Sequence, residues 1–274
     1  MPGIHAPIGV FDSGIGGLSI LRALRLALPH EDYVYHADTG HAPYGERGDA
    51  FVIERSMAQA ADMIERRGVK LLVVACNTAT AAAIEALRAA WPQVPIVGVE
   101  PALKPAASGT RTGRVGVLAT RGTLASERFR QLQASLEGDG PGHAHFVLQA
   151  CDGLAAAIEG GDTATTRALC TKYLGALGPL GTRAGEIDTV VLGCTHYAFA
   201  MDEILRVVGL DVRVLETGEP VARQVRRLLG QSKQLALPPA VAPGAKPVAH
   251  GRLTLLTSGS RAMLDTATRR WLPA

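Results

Sequence analysis

Short apolar runs alternate with segments of helical periodicity along almost the whole chain. IGVFDSG leads into LSILRALRLAL, and DYVYHADTG leads through PYGER into AFVIERSMAQAADMIERRG. KLLVVAC precedes an alanine-rich helix that ends near Trp91 and Pro92, and VPIVGVE follows. The style resumes with GRVGVLATRGTLASERFRQL, HFVLQACDG and TVVLGC with its helix; VRVLETG and RLTLLTSGS add two more strands. Strands without polar alternation are buried on both faces, as in parallel sheets flanked by helices. The pattern predicts the α/β class.

The pattern also repeats. From Cys76, Glu85, Leu87 and Arg88 follow at offsets of nine, eleven and twelve; from Cys194, Glu203, Leu205 and Arg206 fall at the same offsets. IGVFDSG resembles VGVLATRG, and each opens its half with a strand, a turn and a helix. Two related lobes follow, each a mainly parallel sheet flanked by helices, with the active site in the cleft between them. The glycines and prolines of GVEPALKPAASGTRTG mark the passage between lobes. The expected division is 1–98 with 210–274 for the first lobe and 99–209 for the second, because VRVLETG and RLTLLTSGS most simply return to the first sheet. The stretch 237–251, rich in proline, reads as a surface loop.

Composition narrows the function classes. At 274 residues with 47% hydrophobic and 19% charged positions, the chain can bury a large core and is not a disordered tail. A net charge of +3 without a dense Lys/Arg run argues against nucleic acid as the main partner. The apolar runs are too short to cross a bilayer and the start carries no signal-like segment, so a cytoplasmic protein without a membrane anchor is expected. The four cysteines, Cys76, Cys151, Cys170 and Cys194, include no Cys-x-x-Cys pair. Any special role is therefore one for free thiols.

Ligands of parallel α/β sheets bind at the carboxyl ends of strands, where Cys76 and Cys194 both fall. A helix N-terminus there favours a thiolate and welcomes a carboxylate. Inverting a stereocentre means removing a proton from one face and returning one to the other, which a thiolate and a thiol can do by swapping roles. Asp12 ends the first strand and can orient or deprotonate one thiol; His196 can do so for the other. Cys151 and Cys170 read as small buried hydrophobes. The glycines of DSGIGGLS end in Ser19 where a dinucleotide fingerprint needs glycine, so they read as backbone approach to a small anion. Lys70, Lys104, Lys172, Lys233 and Lys246 lie at element edges or in loops, which disfavours a pyridoxal Schiff base, and no close ligand pair anchors a zinc site.

GVFDSGIGGLS, ADTGHAPYGER, VVACNTATA, GVEPA, VLGCTHY and the late TSG, in this order over nearly the whole chain, resemble the glutamate racemases of the aspartate/glutamate racemase superfamily. The resemblance implies racemisation of glutamate without metal or other cofactor, supplying D-glutamate for peptidoglycan synthesis. It implies glutamate as the partner, no nucleic acid or membrane, and leaves room for a homodimer. By it Cys76 and Cys194 are the acid/base pair, assisted by Asp12, His196 and Glu159. Substrate contacts would come from Asp12, Ser13, Tyr44, Gly45, Asn77, Thr78, Thr195 and His196. Asp152 stands where the family usually has proline, as does Ala198, and Glu216-Thr217 replaces a common Asp-Ser. The first of these departures bears on the reach of Glu159. Two rivals remain: a racemase or decarboxylase of the superfamily with another substrate, and a two-lobed binding protein without turnover.

Overall fold

The computed structural model describes residues 3–237 and 251–272. In chain order its elements are β1 (Ile8–Asp12), α1 (Leu18–Ala27), β2 (Tyr33–Ala37), α2 (Asp49–Ala61), β3 (Leu71–Val74), α3 (Asn77–Ala90), β4 (Ile96–Gly98), α4 (Leu103–Gly109), β5 (Arg114–Ala119), α5 (Arg121–Ala125) and α6 (Glu127–Ala134). There follow β6 (His145–Ala150), α7 (Leu154–Glu159), α8 (Thr163–Ala176), β7 (Thr189–Gly193), α9 (Met201–Val208), β8 (Arg213–Leu215), α10 (Gly218–Gln231), β9 (Leu253–Thr257) and α11 (Arg261–Trp271). Each strand-like run of the sequence is a strand. Every pairing is parallel, which gives the α/β fold expected.

The chain forms two compact units. Unit one holds residues 3–42, 48–99, 218–237 and 251–272, and unit two holds 43–47 and 100–217. The first sheet has the order β4-β3-β1-β2-β9; the second, read from its far edge, is β8-β7-β5-β6. The first four strands of each unit therefore share one order, with β3 and β7 in the same place. The same order explains a departure from the expected boundary. The RVL of VRVLETG forms β8 and pairs with β7, Val190 opposite Val214, as β4 pairs with β3. It completes the second sheet instead of returning to the first, and only β9 extends the first sheet, along β2. PYGER is a second departure: Tyr44–Glu46 is a single 3₁₀ turn within unit two, although the chain on both sides belongs to unit one.

Burial follows the apolar pattern. Ile8, Val10, Phe11, Leu72 and Val74 are fully buried in the first sheet, and α1 turns Leu18, Leu21 and Leu24 onto it at helical spacing. Each such side chain contributes about 1.5–3 kcal/mol of burial. In unit two Leu103, Val115, Val117, Phe129, Phe146 and Val191 form the core. The matching offsets after the two cysteines do not mark equivalent positions. Leu87 is fully buried in α3, whereas Leu205 is 37% exposed in α9, because six residues of 3₁₀ helix, Thr195–Ala200, separate Cys194 from α9. The expected loop 237–251 lies outside the described residues except at its ends. No helix among the described residues is long and apolar enough to cross a membrane.

Candidate active site

In unit one the carboxyl ends of β1 and β3 bring Asp12, Ser13, Cys76, Asn77 and Thr78 together. Cys76 caps α3, its sulfur accepting the Ala79 N–H at 3.4 Å. Ser13 Oγ lies 3.5 Å from Cys76 Sγ and 3.5 Å from Asp12 Oδ1. The Asp12 carboxylate is fully buried and accepts the N–H groups of Gly17 at 2.8 Å and Gly14 at 3.3 Å through Oδ2. These hydrogen bonds replace water around a buried charge. They also explain the glycines of DSGIGG: a Cβ on Gly17 would lie 2.7 Å from Asp12 Cβ, so glycine lets the backbone close on the carboxylate. Asn77 donates from Nδ2 to the Val99 carbonyl at 3.3 Å, and its buried Oδ1 accepts no hydrogen bond. A buried amide oxygen without a donor is costly unless something else supplies one. Thr78 is buried in the first turn of α3.

In unit two Cys194 follows β7 and opens the 3₁₀ segment. Its sulfur lies 3.7 Å from His196 Nδ1, and His196 Nε2 lies 2.7 Å from Glu159 Oε2 at the end of α7. Burial alone would disfavour a charged ring, but the sulfur and the carboxylate outweigh it and hold the His196 pKa well above the ordinary imidazole value. Thr195 is buried beside Cys194. Tyr44 is buried and Gly45 packs at the start of α5, where an added Cβ would lie 3.1 Å from Thr120 Cβ. Nine of the expected site residues thus form two groups, one around each thiol: Asp12, Ser13, Asn77 and Thr78 with Cys76, and Glu159, Thr195 and His196 with Cys194; Tyr44 and Gly45 stand apart in the 3₁₀ turn before α2.

Some neighbours were not anticipated. Asp38, just after β2, is fully buried and accepts from Arg55 Nε and Nη2, at 3.1 and 3.0 Å, with His41 Nδ1 also at 3.0 Å. The available clue was its place at a strand's carboxyl end, as for Asp12. Thr120, at the end of β5, caps α5 by accepting the Thr123 N–H and is adjacent in sequence to Ala119, which is opposite Gly193. The remaining thiols are buried: burial pushes Cys151 up to about 12 and Cys170 up to about 11, so both stay protonated at neutral pH. The lysine reading needs correction. Lys172 lies within α8, whereas Lys70 does stand at the edge of β3 but is buried there, with Nζ 2.6 Å from Glu31 and donating to the carbonyls of Ile4 and Gln234. Lys246 lies outside the described residues. Among the described residues no cluster of three His, Cys, Asp or Glu side chains is arranged to hold a metal ion.

Residues 19–225 match the family described as Asp/Glu/Hydantoin racemase. A glutamate racemase of Pseudomonas syringae pv. tomato is 48% identical over 241 residues, covering 87% of this chain and 84% of its own. Among solved structures, a glutamate racemase isoform of Bacillus anthracis aligns with a TM-score of 0.80 at 30% identity, over 98% of this chain and 95% of that one. The Escherichia coli glutamate racemase, solved with L-glutamate and the activator UDP-MurNAc-Ala, aligns with a TM-score of 0.74 at 33% identity, over 97% and 95%.

Proposed function

The chain belongs to the Asp/Glu/hydantoin racemase family, and from that membership we propose that it interconverts L- and D-glutamate by passing the α-proton between two thiols. One observation carries this above all. Cys76 and Cys194 follow strands of the same rank in two sheets of one order, and each has polar groups of its own within reach. A protein that only bound a ligand would have no use for a matched pair of thiols.

In one direction the thiolate of one cysteine takes the α-proton, and the thiol of the other gives its proton to the opposite face. The next turnover in reverse exchanges these roles. Asp12 and Ser13 orient Cys76, while His196, held by Glu159, receives or returns the proton of Cys194. The Asn77 amide oxygen suits the substrate ammonium. Thr78 and Thr195, at helical starts, offer donors to the carboxylate that becomes enolate-like as the proton leaves. Ser13, Tyr44, Gly45 and His196 complete the substrate contacts. D-Glutamate made this way would supply peptidoglycan synthesis in the cytoplasm, with the enzyme as a homodimer.

Chiral chromatography of glutamate incubated with the purified protein tests the activity. Cys76→Ala and Cys194→Ala should each lower turnover by at least about 10²–10⁴-fold, the range that acid/base groups contribute, while circular dichroism stays native. Turnover near wild type in either variant would rule out the two-thiol mechanism.

A further inference from the structure

Glu159 is the last residue of a short helix, and its grip on His196 depends on how that helix is aimed. α7 starts from the turn Cys151-Asp152-Gly153, in which Gly153 adopts a left-handed φ of 76° and no side chain caps the helix. Two tyrosine hydroxyls tie this turn instead. Tyr173, on α8, donates to the Asp152 carbonyl at 2.7 Å, and Tyr197 donates to the Cys151 carbonyl at 3.4 Å. The Cys151 N–H is held in turn by the Ala119 carbonyl at 3.0 Å, at the end of β5. Tyr173 is largely and Tyr197 fully buried, so neither hydroxyl is there to meet solvent. Arg121 also pairs with the Asp152 carboxylate, but both side chains are more than half exposed. Such a pair is worth about 0–1 kcal/mol, which leaves the tyrosines as the anchors.

We propose that Tyr173 and Tyr197 are positioning residues for the Cys194 half of the reaction, holding the Cys151–Gly153 turn so that α7 delivers Glu159 to His196. The inference rests on the reading that His196 and Glu159 serve Cys194. The lever is simple. Six residues at about 1.5 Å rise put Glu159 about 9 Å from the turn, so a tilt of about 6° displaces its carboxylate by about 1 Å. A misplacement of about 1 Å can cost on the order of 10²-fold in rate. Tyr197 also lies in the 3₁₀ segment, its N–H bonded to the Cys194 carbonyl at 3.1 Å, and so links the turn to the segment that carries the thiol.

Tyr173→Phe is the sharper test, because it removes one hydroxyl from α8, outside the segment that carries the thiol. Turnover should fall by about threefold to thirtyfold, a fraction of the full penalty for misplacement, with KM changed less than about twofold. Racemisation has an equilibrium constant of one, so kcat/KM must fall equally in both directions, but isotope effects need not. With α-deuterated substrates, the effect should rise in the direction in which Cys194 removes the deuteron and fall in the other, and Glu159→Gln should show the same asymmetry. The double variant Tyr173→Phe/Glu159→Gln should be no slower than Glu159→Gln alone. Independently of turnover, the His196 ring, followed by nitrogen NMR, should titrate at lower pH in Tyr173→Phe than in the wild type. An unchanged rate, a symmetric change in isotope effect, additive losses or an unmoved His196 titration would each overturn the proposal while leaving the two-thiol mechanism standing. Indifference of turnover to Glu159→Gln would instead overturn the underlying role of Glu159, and this proposal with it.

Discussion

Glu159 and His196 form a buried pair whose worth depends on the charge of the ring. The side chains are 17% and 7% exposed at a separation of 2.7 Å, so losing the carboxylate leaves a buried cation without its partner. Glu159→Gln should destabilise the protein by about 3 kcal/mol at pH 6. Because the folded-state pKa of His196 is raised, the stabilisation is complete below the ordinary value of about 6.5 and is lost as pH rises through the raised one. Urea midpoints of wild type and variant, taken from pH 6 upward, should therefore converge in alkali; a gap that widens would contradict the charged pair. At this scale the sequence was legible where position alone speaks. Cys76, Cys194 and Asp12 stand at strand ends, whereas Glu159 was reached only through the family resemblance. Asp38 with Arg55, and Lys70 with Glu31, were not anticipated, since ion pairs between elements leave no periodic trace.

Among elements, the strands were legible because each carries a short apolar stretch between turn residues, and several helices were not. α8 is long, but threonines crowd its sequence and its apolar stripe is thin: it buries only Thr166, Cys170, Tyr173 and Leu174. The short β8 gave no hint of its partner, and its place in the second sheet follows only from the order that both units share. The segment before β7 shows how a strand start is fixed. The Asp188 carboxylate accepts the Thr110 hydroxyl at 2.6 Å, the Arg111 N–H at 2.7 Å, the Thr112 N–H at 3.2 Å and the Thr189 hydroxyl at 2.9 Å. Burial would raise its pKa, but these donors overcome it and hold the carboxyl below the ordinary value. Asp188→Asn should cost about 2–3 kcal/mol at pH 7, the range for a lost charged hydrogen bond. This stabilisation is present above the unfolded-state pKa of about 3.9 and disappears as pH falls through the folded-state value. Denaturant melts at pH 7 and in acid check this: the penalty should shrink on acidification, and one that grows would contradict the assignment.

For the molecule as a whole, the repeated strand order gives each unit one thiol in the same topological place, and this bears on where the transferred proton comes from. If one group both removed and returned the proton, much of the original hydrogen would reappear in the product. With two thiols the hydrogen delivered is the second thiol's own, which has exchanged with solvent before the turnover begins. In D₂O, D-glutamate formed from L-glutamate at early times should therefore carry deuterium at the α-carbon, while remaining L-glutamate keeps its proton. Substrate choice belongs to the same scale, because the proposed mechanism needs one proton carrier for each face of the α-carbon. Aspartate is shorter by one methylene, and seating its side-chain carboxylate in the place of glutamate's draws the α-carbon out of line by about 1 Å, which costs on the order of 10²-fold. Chelator-treated protein without pyridoxal absorbance, followed with glutamate and with aspartate in D₂O, should retain full glutamate turnover and favour it by that margin. Loss of activity with the chelator, retention of protium in the early product, or faster turnover of aspartate would each contradict a glutamate racemase that works by its two thiols alone.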